Sequence, residues 1–210
     1  KLDLGQFDNI VVCTGAGVSV NQGILPYRAP GGILDKIKDK WGDAYPRLLD
    51  NPQLALSRIF HNTYPEFCKE FWVWFNGKFD DIAPGPVHNL CHDLFTRGKL
   101  QRVYTQNVDG LHDHDVYGPE FADKVVNFHG RLDTIVLYGD PICEAAYTNL
   151  IEDFEKADLV LVIGTTLQVT PFNILPNLIR KGAARCLINK PLMECLRDRT
   201  KTPPAKFCGQ

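Results

Sequence analysis

Residues 9–28 read NIVVCTGAGVSVNQGILPYR. The stretch opens with an apolar run, Ile10 to Cys13, which is short enough for a buried strand. The chain then breaks into a Gly-x-Gly turn at Gly15 and Gly17. In α/β folds such a turn brings backbone N–H groups close to a phosphate, and a helix that follows adds unpaired donors. We therefore interpret this stretch as the phosphate-binding turn of a dinucleotide site.

The turn alone is a weak signal. Val20 stands where the usual Gly-x-Gly-x-x-Gly pattern has its third glycine. The alternative is a tight strand-to-helix turn that binds no ligand. The remaining sequence has to distinguish the two interpretations.

Length and composition narrow the function classes. The 210 residues suit one large domain, or one domain with a small lobe. The net charge of −2 argues against direct binding to nucleic acid, because neutralising phosphates needs a basic face. No apolar run approaches the ~20 residues that span a bilayer, so we expect no membrane partner. The seven cysteines form no Cys-x-x-Cys pair, and we expect buried thiols in a reducing compartment, cytoplasmic or nuclear.

The order of elements predicts the fold class. Strands, helices and glycine turns alternate, which favours an α/β protein with an open parallel sheet and helices on both faces. The strongest strand is the fully apolar run 159–163. Residues 31–51 show no clean period and are interpreted as a mobile loop with short helices over a ligand. Residues 54–76 are rich in Phe and Trp and predict the core of a small lobe.

Polar side chains follow several predicted strands. The segment Thr105 to His112, TQNVDGLH, follows the strand 100–104, and Gly164-Thr165-Thr166 follows the strand 159–163. Ligands bind at this end of parallel strands, although an Asn-x-Asp-Gly turn without a ligand is the alternative. His129 follows the run 125–128, where a lone histidine is usually structural. His88 and His92 lie four apart on a predicted helix, but without a third ligand nearby we expect solvated or capping side chains and no metal ligands.

Together these segments resemble the sirtuins, which are NAD-dependent protein lysine deacylases. Residues 15–19, GAGVS, resemble the family's Gly-Ala-Gly-Ile-Ser, and TQNVDGL at 105–111 differs from Thr-Gln-Asn-Ile-Asp-Gly-Leu only at Val108. Residues 23–28 resemble Gly-Ile-Pro-Asp-Phe-Arg, with Leu25-Pro26 in place of Pro-Asp. His129-Gly130 resembles the catalytic His-Gly, and 167–172 resembles Leu-x-Val-x-Pro-Phe. The segments occur in family order over nearly the whole chain.

The resemblance implies a domain organisation. Residues 1–30, 81–130 and 132–210 would form a Rossmann-like NAD-binding domain, and 31–80 the cofactor loop and small helical lobe. Sirtuins place a zinc module with two Cys-x-x-Cys pairs near 131–132, where this sequence continues directly into a strand-like segment at 132–141. Either the module is lost or its residues are missing from the sequence, and we favour the second. A structural zinc ion is expected only if residues are missing after Arg131.

The resemblance also implies a reaction in which a lysine-bound acyl group moves to the ADP-ribose of NAD and nicotinamide is released. His129 is the implied general base, since the imidazole pKa of about 6.5 lies near working pH, and Asn107 is the second catalytic residue. The implied cofactor-binding residues are Gly15, Ala16, Gly17, Ser19, Tyr27, Arg28, Gln106, Asn107, Asp109, Gly164, Thr165, Thr166, Asn189 and Cys208. An extended acyl-lysine protein or peptide would pair with Gly139, Asp140, Gln168 and Val169.

Other functions remain open at this point. A mono-ADP-ribosyltransferase would use the same NAD pocket. A reductase or a non-catalytic NAD-binding module would share the glycine turn, but a reductase needs an acidic residue about twenty positions beyond it. Asp35 is roughly placed, yet it lies in a predicted loop. Residues 54–76 contain no Tyr-x-x-Arg pair of the kind used for acidic acyl groups, which favours an uncharged acyl chain.

Overall fold

A computed structural model of the protein describes residues 2–189. At its centre lies a five-stranded parallel sheet with the strand order β3-β2-β1-β4-β5. The strands are β1 (Ile10–Thr14), β2 (Leu100–Thr105), β3 (Val125–Asn127), β4 (Leu159–Ile163) and β5 (Ala184–Ile188). This order is that of the doubly wound dinucleotide-binding folds. It confirms the predicted Rossmann-like open parallel sheet.

Helices cover both faces of the sheet, as predicted. Ile10 and Val12 of β1 pack on one face, beside helices α5 (Pro86–Thr96) and α6 (Pro119–Ala122). Val11 and Cys13 pack on the other face, beside α7 (Leu150–Lys156) and α8 (Leu175–Leu178). Because successive strand residues point to opposite faces, a strand between two helical layers has to be apolar throughout. Every residue of β1 is accordingly buried.

A smaller helical lobe contains α1 (Ile33–Trp41), α2 (Arg47–Asp50), α3 (Arg58–Thr63) and α4 (Pro65–Asn76). Its core is aromatic, as expected from residues 54–76, with Phe67 and Phe71 fully buried. The short helices expected within 31–51 are present. Ile37 and Trp41 of α1 are buried in the lobe core, whereas the mobile loop over a ligand stays a prediction. Within residues 2–189, no helix has the length and apolar character needed to cross a bilayer.

Two predicted elements differ from the structure. The sequence from Phe172 to Lys181, which precedes Gly182, predicts one helix. The structure instead has a 3-10 turn, Phe172–Ile174, and the short α8, which ends at Leu178 because Ile179 turns to an extended backbone and buries its side chain. The strand expected within 132–141 is reduced to an isolated bridge between Tyr138 and Ser57. This segment leaves the sheet and pairs with the small lobe, where the Arg58 amide donates to the Tyr138 carbonyl at 3.0 Å.

The chain makes a compact turn at the position of the implied zinc module. The Thr134 amide donates to the Arg131 carbonyl, and the Val136 amide donates to the His129 carbonyl, each at 2.9 Å. Gly130 has a φ of 73°, and a Cβ there would lie 2.1 Å from the Thr134 carbonyl oxygen. Within residues 2–189, no group of three His, Cys, Asp or Glu side chains could hold a metal ion. This part of the chain therefore does not fit zinc, and the module remains a sequence prediction.

Candidate active site

A cleft of about 470 Å³ lies at the carboxyl ends of the strands. The order of the sheet changes direction between β1 and β4, and ligands of open α/β sheets bind outside such a switch point. The small lobe contributes apolar side chains to the cleft, including Leu56, Phe75 and Phe79. The cleft therefore has a polar floor at the sheet and an apolar wall at the lobe.

The turns that follow β1 and β4 are packed directly against each other. The Gly17 amide donates to the Gly164 carbonyl at 2.9 Å, and the Gly15 amide donates to the Ile163 carbonyl at 3.2 Å. A Cβ on Gly17 would lie 2.8 Å from the Gly164 Cα, so only glycine permits this approach. The expectation of a helix after the glycine turn is wrong, because 3-10 turns at Ala16–Val18 and Val20–Gln22 take its place.

Ser19 holds two cleft side chains from below. It is fully buried and does not line the cleft, so its direct contact with the cofactor stays a prediction. The Ser19 hydroxyl donates to Asp109 Oδ2 at 2.7 Å and accepts from Asn107 Nδ2 at 3.2 Å. The backbone N–H of Asn107 donates to the Thr105 hydroxyl at 3.1 Å. An amide and a carboxylate held together can satisfy both the donor and the acceptor of a ligand carboxamide.

Two buried histidines extend this network. His88 Nδ1 accepts the Gly85 amide at 3.0 Å, which caps α5, and His88 Nε2 lies 3.4 Å from the Ser19 hydroxyl. For His88 the capping role is therefore confirmed, and its side chain is buried rather than solvated. His112 Nε2 lies 2.8 Å from the Thr14 hydroxyl, and the rings of His88 and His112 are 4.5 Å apart. Burial lowers the pKa of both imidazoles, which keeps them neutral. Our reading of the sequence missed His112, although it ends the TQNVDGLH motif.

His129 lines the cleft just beyond β3. Its Nδ1 lies 3.1 Å from the Gln106 carbonyl oxygen, so Nδ1 carries the hydrogen and donates it. The lone pair of the neutral ring is then on Nε2. Burial lowers the pKa of His129 below its ordinary value of about 6.5, while the nearby Gln106 and Thr170 carbonyls, which favour the protonated ring, oppose that shift. At neutral pH the imidazole is therefore available as a base.

Gln106 connects the ends of several strands. Its backbone N–H donates to the Thr14 carbonyl at 3.1 Å, and its side-chain oxygen accepts from the Thr165 hydroxyl at 2.7 Å. The Thr165 carbonyl in turn accepts from Asn189 Nδ2 at 2.9 Å. Residues at the carboxyl ends of β1, β2, β4 and β5 are thus linked around one cleft.

The loop predicted to bind a peptide is tied to the small lobe. Arg58 donates to both carboxylate oxygens of Asp140, at 2.8 and 2.7 Å, and this pairing lowers the pKa of Asp140. Near the cleft entrance, the Tyr27 hydroxyl lies 3.5 Å from the Tyr138 hydroxyl. Arg28 is exposed, donates to Gln53 at 3.1 Å and lies over the Tyr27 ring. The Asp140 carboxylate therefore has a partner within the protein.

Most of the predicted site residues meet in the cleft. Those that line it are Ala16, Gly17, Tyr27, Arg28, Gln106, Asn107, Asp109, His129, Gly139, Asp140, Gly164, Thr165, Thr166, Val169 and Asn189. Gly15 and Ser19 are buried behind the lining, because the β1 and β4 turns close over them, and Gln168 is exposed outside it. Cys208 lies outside the described residues. The apolar wall was missed as part of the site, since Phe75 was assigned to the lobe core alone.

Comparisons with known proteins identify the family. The family model described as the Sir2 family matches residues 15–135. The NAD-dependent deacetylase sir2D of Dictyostelium discoideum is 31% identical over 88% of this chain, which spans 40% of that protein. NAD-dependent protein deacetylase 1 of Geobacillus kaustophilus is 30% identical over 85% of this chain and 79% of its own length.

Two other long relatives are matched over only 29% and 34% of their lengths. Among solved structures, a Sir2 homolog–NAD complex aligns with 89% of this chain and 79% of its own, at a TM-score of 0.73 and 22% identity. That likeness supports the fold. Since the family model matches more than half of the residues, in the segment that carries the glycine turn, the Asn-x-Asp motif and His129, the chain belongs to the Sir2 family.

Proposed function

We propose that this protein is an NAD-dependent protein lysine deacylase, which transfers an acyl group from a lysine side chain to the ADP-ribose of NAD and releases nicotinamide. The observation that carries the proposal is the meeting of His129, Asn107 and Asp109 in one cleft at the switch point of the sheet. Relatives named NAD-dependent deacetylases support it, as does a Sir2 structure that holds a p53 peptide and NAD.

The side chains that line the cleft fit NAD. Asn107 and Asp109 offer a donor and acceptors for the nicotinamide carboxamide, while Thr165 and Thr166 offer hydroxyls to the ribose and phosphates. Arg28 supplies positive charge at the cleft entrance. When bound, NAD supplies a ribose carbon that is already activated, because its positively charged nicotinamide leaves as a neutral molecule.

The residues around the acyl-lysine have separable roles. His129 would remove a proton from a ribose hydroxyl at Nε2, and the Gln106 carbonyl would hold Nδ1–H and stabilise the imidazolium that results. The apolar wall excludes water from the reacting groups and suits an uncharged acyl chain. Gly139 and Val169 face the cleft, where they can bind the backbone of an extended acyl-lysine protein or peptide.

The pH dependence of turnover follows from the state of His129. A general base works deprotonated, and burial lowers the pKa of this imidazole below about 6.5. We therefore expect the rate with an acetyl-lysine peptide to be constant from about pH 7 to 8 and to fall as the pH drops through the His129 pKa. Initial rates between about pH 5 and 8 measure this, with circular dichroism at each pH as the control for unfolding. An acid limb with its midpoint above pH 7 would contradict the assignment.

A mass-spectrometric assay tests the proposed function. The protein is incubated with NAD and an acetyl-lysine peptide, and a matched peptide with unmodified lysine serves as the control. We expect loss of the acetyl group from the first peptide together with nicotinamide and acetyl-ADP-ribose. A peptide that gains ADP-ribose would instead identify a mono-ADP-ribosyltransferase. Unchanged NAD would identify a non-catalytic NAD-binding module.

A further inference from the structure

Asp113 is a buried carboxylate behind the cleft and does not line it. It follows Asp109 on the loop after β2 and is only 8% exposed. Asn127 Nδ2 donates to Asp113 Oδ2 at 3.0 Å, and Arg131 Nη1 lies 3.4 Å from the same oxygen. Asp113 therefore pairs with two side chains that are close in sequence to each other.

The two partners of Asp113, Asn127 and Arg131, flank His129 in the sequence. Asn127 is the last residue of β3 and lies two positions before the histidine, whereas Arg131 lies two positions after it and begins the turn that ends at Thr134. A single carboxylate thus binds the segment on both sides of His129. The loop that carries Asp113 also carries Asn107 and Asp109, so the contact joins the two halves of the proposed catalytic machinery.

We propose that Asp113 is a positioning residue for His129, which fixes the histidine segment relative to the loop that binds nicotinamide. The inference rests on the proposed deacylase function. The hydrogen bond from His129 Nδ1 to the Gln106 carbonyl tolerates little movement, because hydrogen bonds weaken steeply with distance and angle. The β3 ladder and the Val136–His129 hydrogen bond hold the backbone of this segment, and Asp113 adds the side-chain contacts on both sides of His129. Without those contacts we expect small shifts that move Nε2 away from the geometry that proton transfer needs.

The cost of burying Asp113 favours a specific role. Its Oδ1 is buried and has no hydrogen-bond partner within residues 2–189. Burial raises the pKa of Asp113, which the nearby Arg131 guanidinium partly offsets. A carboxylate that serves stability alone is poorly placed here, because an unpaired buried oxygen is unfavourable.

Three variants test the inference. Asp113→Ala removes both ties, and Asp113→Asn keeps an acceptor for Asn127 but removes the charge that attracts Arg131. The double variant Asp113→Asn with Asn127→Asp exchanges donor and acceptor across the same hydrogen bond. Asp115→Ala is the matched control, because Asp115 is an exposed acidic residue two positions away. Thermal unfolding of each variant shows whether it is folded.

Two readouts separate positioning from general damage. Exchange of labelled nicotinamide into NAD, in the presence of acyl-peptide, needs the nicotinamide site but precedes the proton transfer by His129. Formation of deacylated peptide needs both the nicotinamide site and the proton transfer by His129. We expect Asp113→Ala to lower the kcat of deacylation by about 10 to 100-fold while the exchange rate and the KM for NAD change less than threefold. Asp113→Asn should lose less, and the exchanged pair should recover part of the kcat.

The outcomes are distinguishable from failure of the proposed function. If the unmodified protein does not deacylate the peptide, the proposed function and this inference both fail. If it is active and Asp113→Ala retains full kcat, only the inference is overturned. Equal losses of nicotinamide exchange and deacylation would likewise assign Asp113 a purely structural role. So would a double variant, Asp113→Asn with Asn127→Asp, that recovers none of the kcat. Should Asp113→Ala not fold, Asp113→Asn and the exchanged pair decide by the same criteria.

Discussion

Replacing His129 with alanine is expected to lower acyl-lysine turnover by about 10² to 10⁴-fold, the range that one general base contributes. The imidazole lines the cleft, its Nδ1 is held by the Gln106 carbonyl, and Nε2 has the lone pair. Within residues 2–189, His129 is the only histidine that lines the cleft, and His88 and His112 are buried and hydrogen-bonded behind it. Steady-state formation of deacylated peptide at about pH 7.5 measures the loss.

The same variant should retain nicotinamide exchange, since Asn107 and Asp109 remain in place on Ser19. His114→Ala is the matched control, because His114 is exposed and lies outside the cleft lining. We expect His114→Ala to keep full turnover. Turnover of His129→Ala within threefold of the unmodified protein would remove His129 from the mechanism.

The central strands β1 and β4 could be predicted from the sequence because they are buried on both faces of the sheet. Runs such as Leu159–Ile163 have no polar residue and are too short for a core helix, so one interpretation remains. Helix α1 was harder to recognise. Ile33, Ile37 and Trp41 recur every four residues, but Lys and Asp between them make the segment resemble a solvated loop. Only the aromatic lobe against which it packs distinguishes the two.

The candidate site could be predicted where motifs follow strands. It could not be predicted where the role of a side chain depends on whether it is buried. Ser19 and Asp109 belong to recognisable motifs, yet nothing local indicates that one lies beneath the other. Asp113 has no motif of its own, and its contacts with Asn127 and Arg131 depend on the register of β2 and β3. The segment near Tyr138 forms no strand of the sheet, because its single bridge partner, Ser57, lies in the small lobe. Such relations are tertiary, so sequence patterns do not encode them.

Gly164→Ala is expected to destabilise the protein by roughly 2 to 5 kcal/mol, from left-handed strain and overpacking combined. Gly164 has a φ of 64°, and a Cβ there would lie 2.6 Å from the Val18 amide nitrogen. The β1 and β4 turns would have to separate to admit the methyl group. That movement breaks the hydrogen bond from Gly17 to Gly164 and displaces Thr165 from the cleft floor. We therefore also expect NAD affinity to fall at least about tenfold.

Gly98 provides a matched control for this variant. Its φ of 68° is nearly the same, but a Cβ there would meet no atom within 4 Å. Gly98→Ala should therefore show only the left-handed strain, about 1 to 2 kcal/mol, and bind NAD normally. Thermal unfolding with calorimetric titration of NAD compares the two variants directly. Equal losses in both would mean that backbone strain alone matters, and the close contact of the two turns would then have no role in holding the dinucleotide.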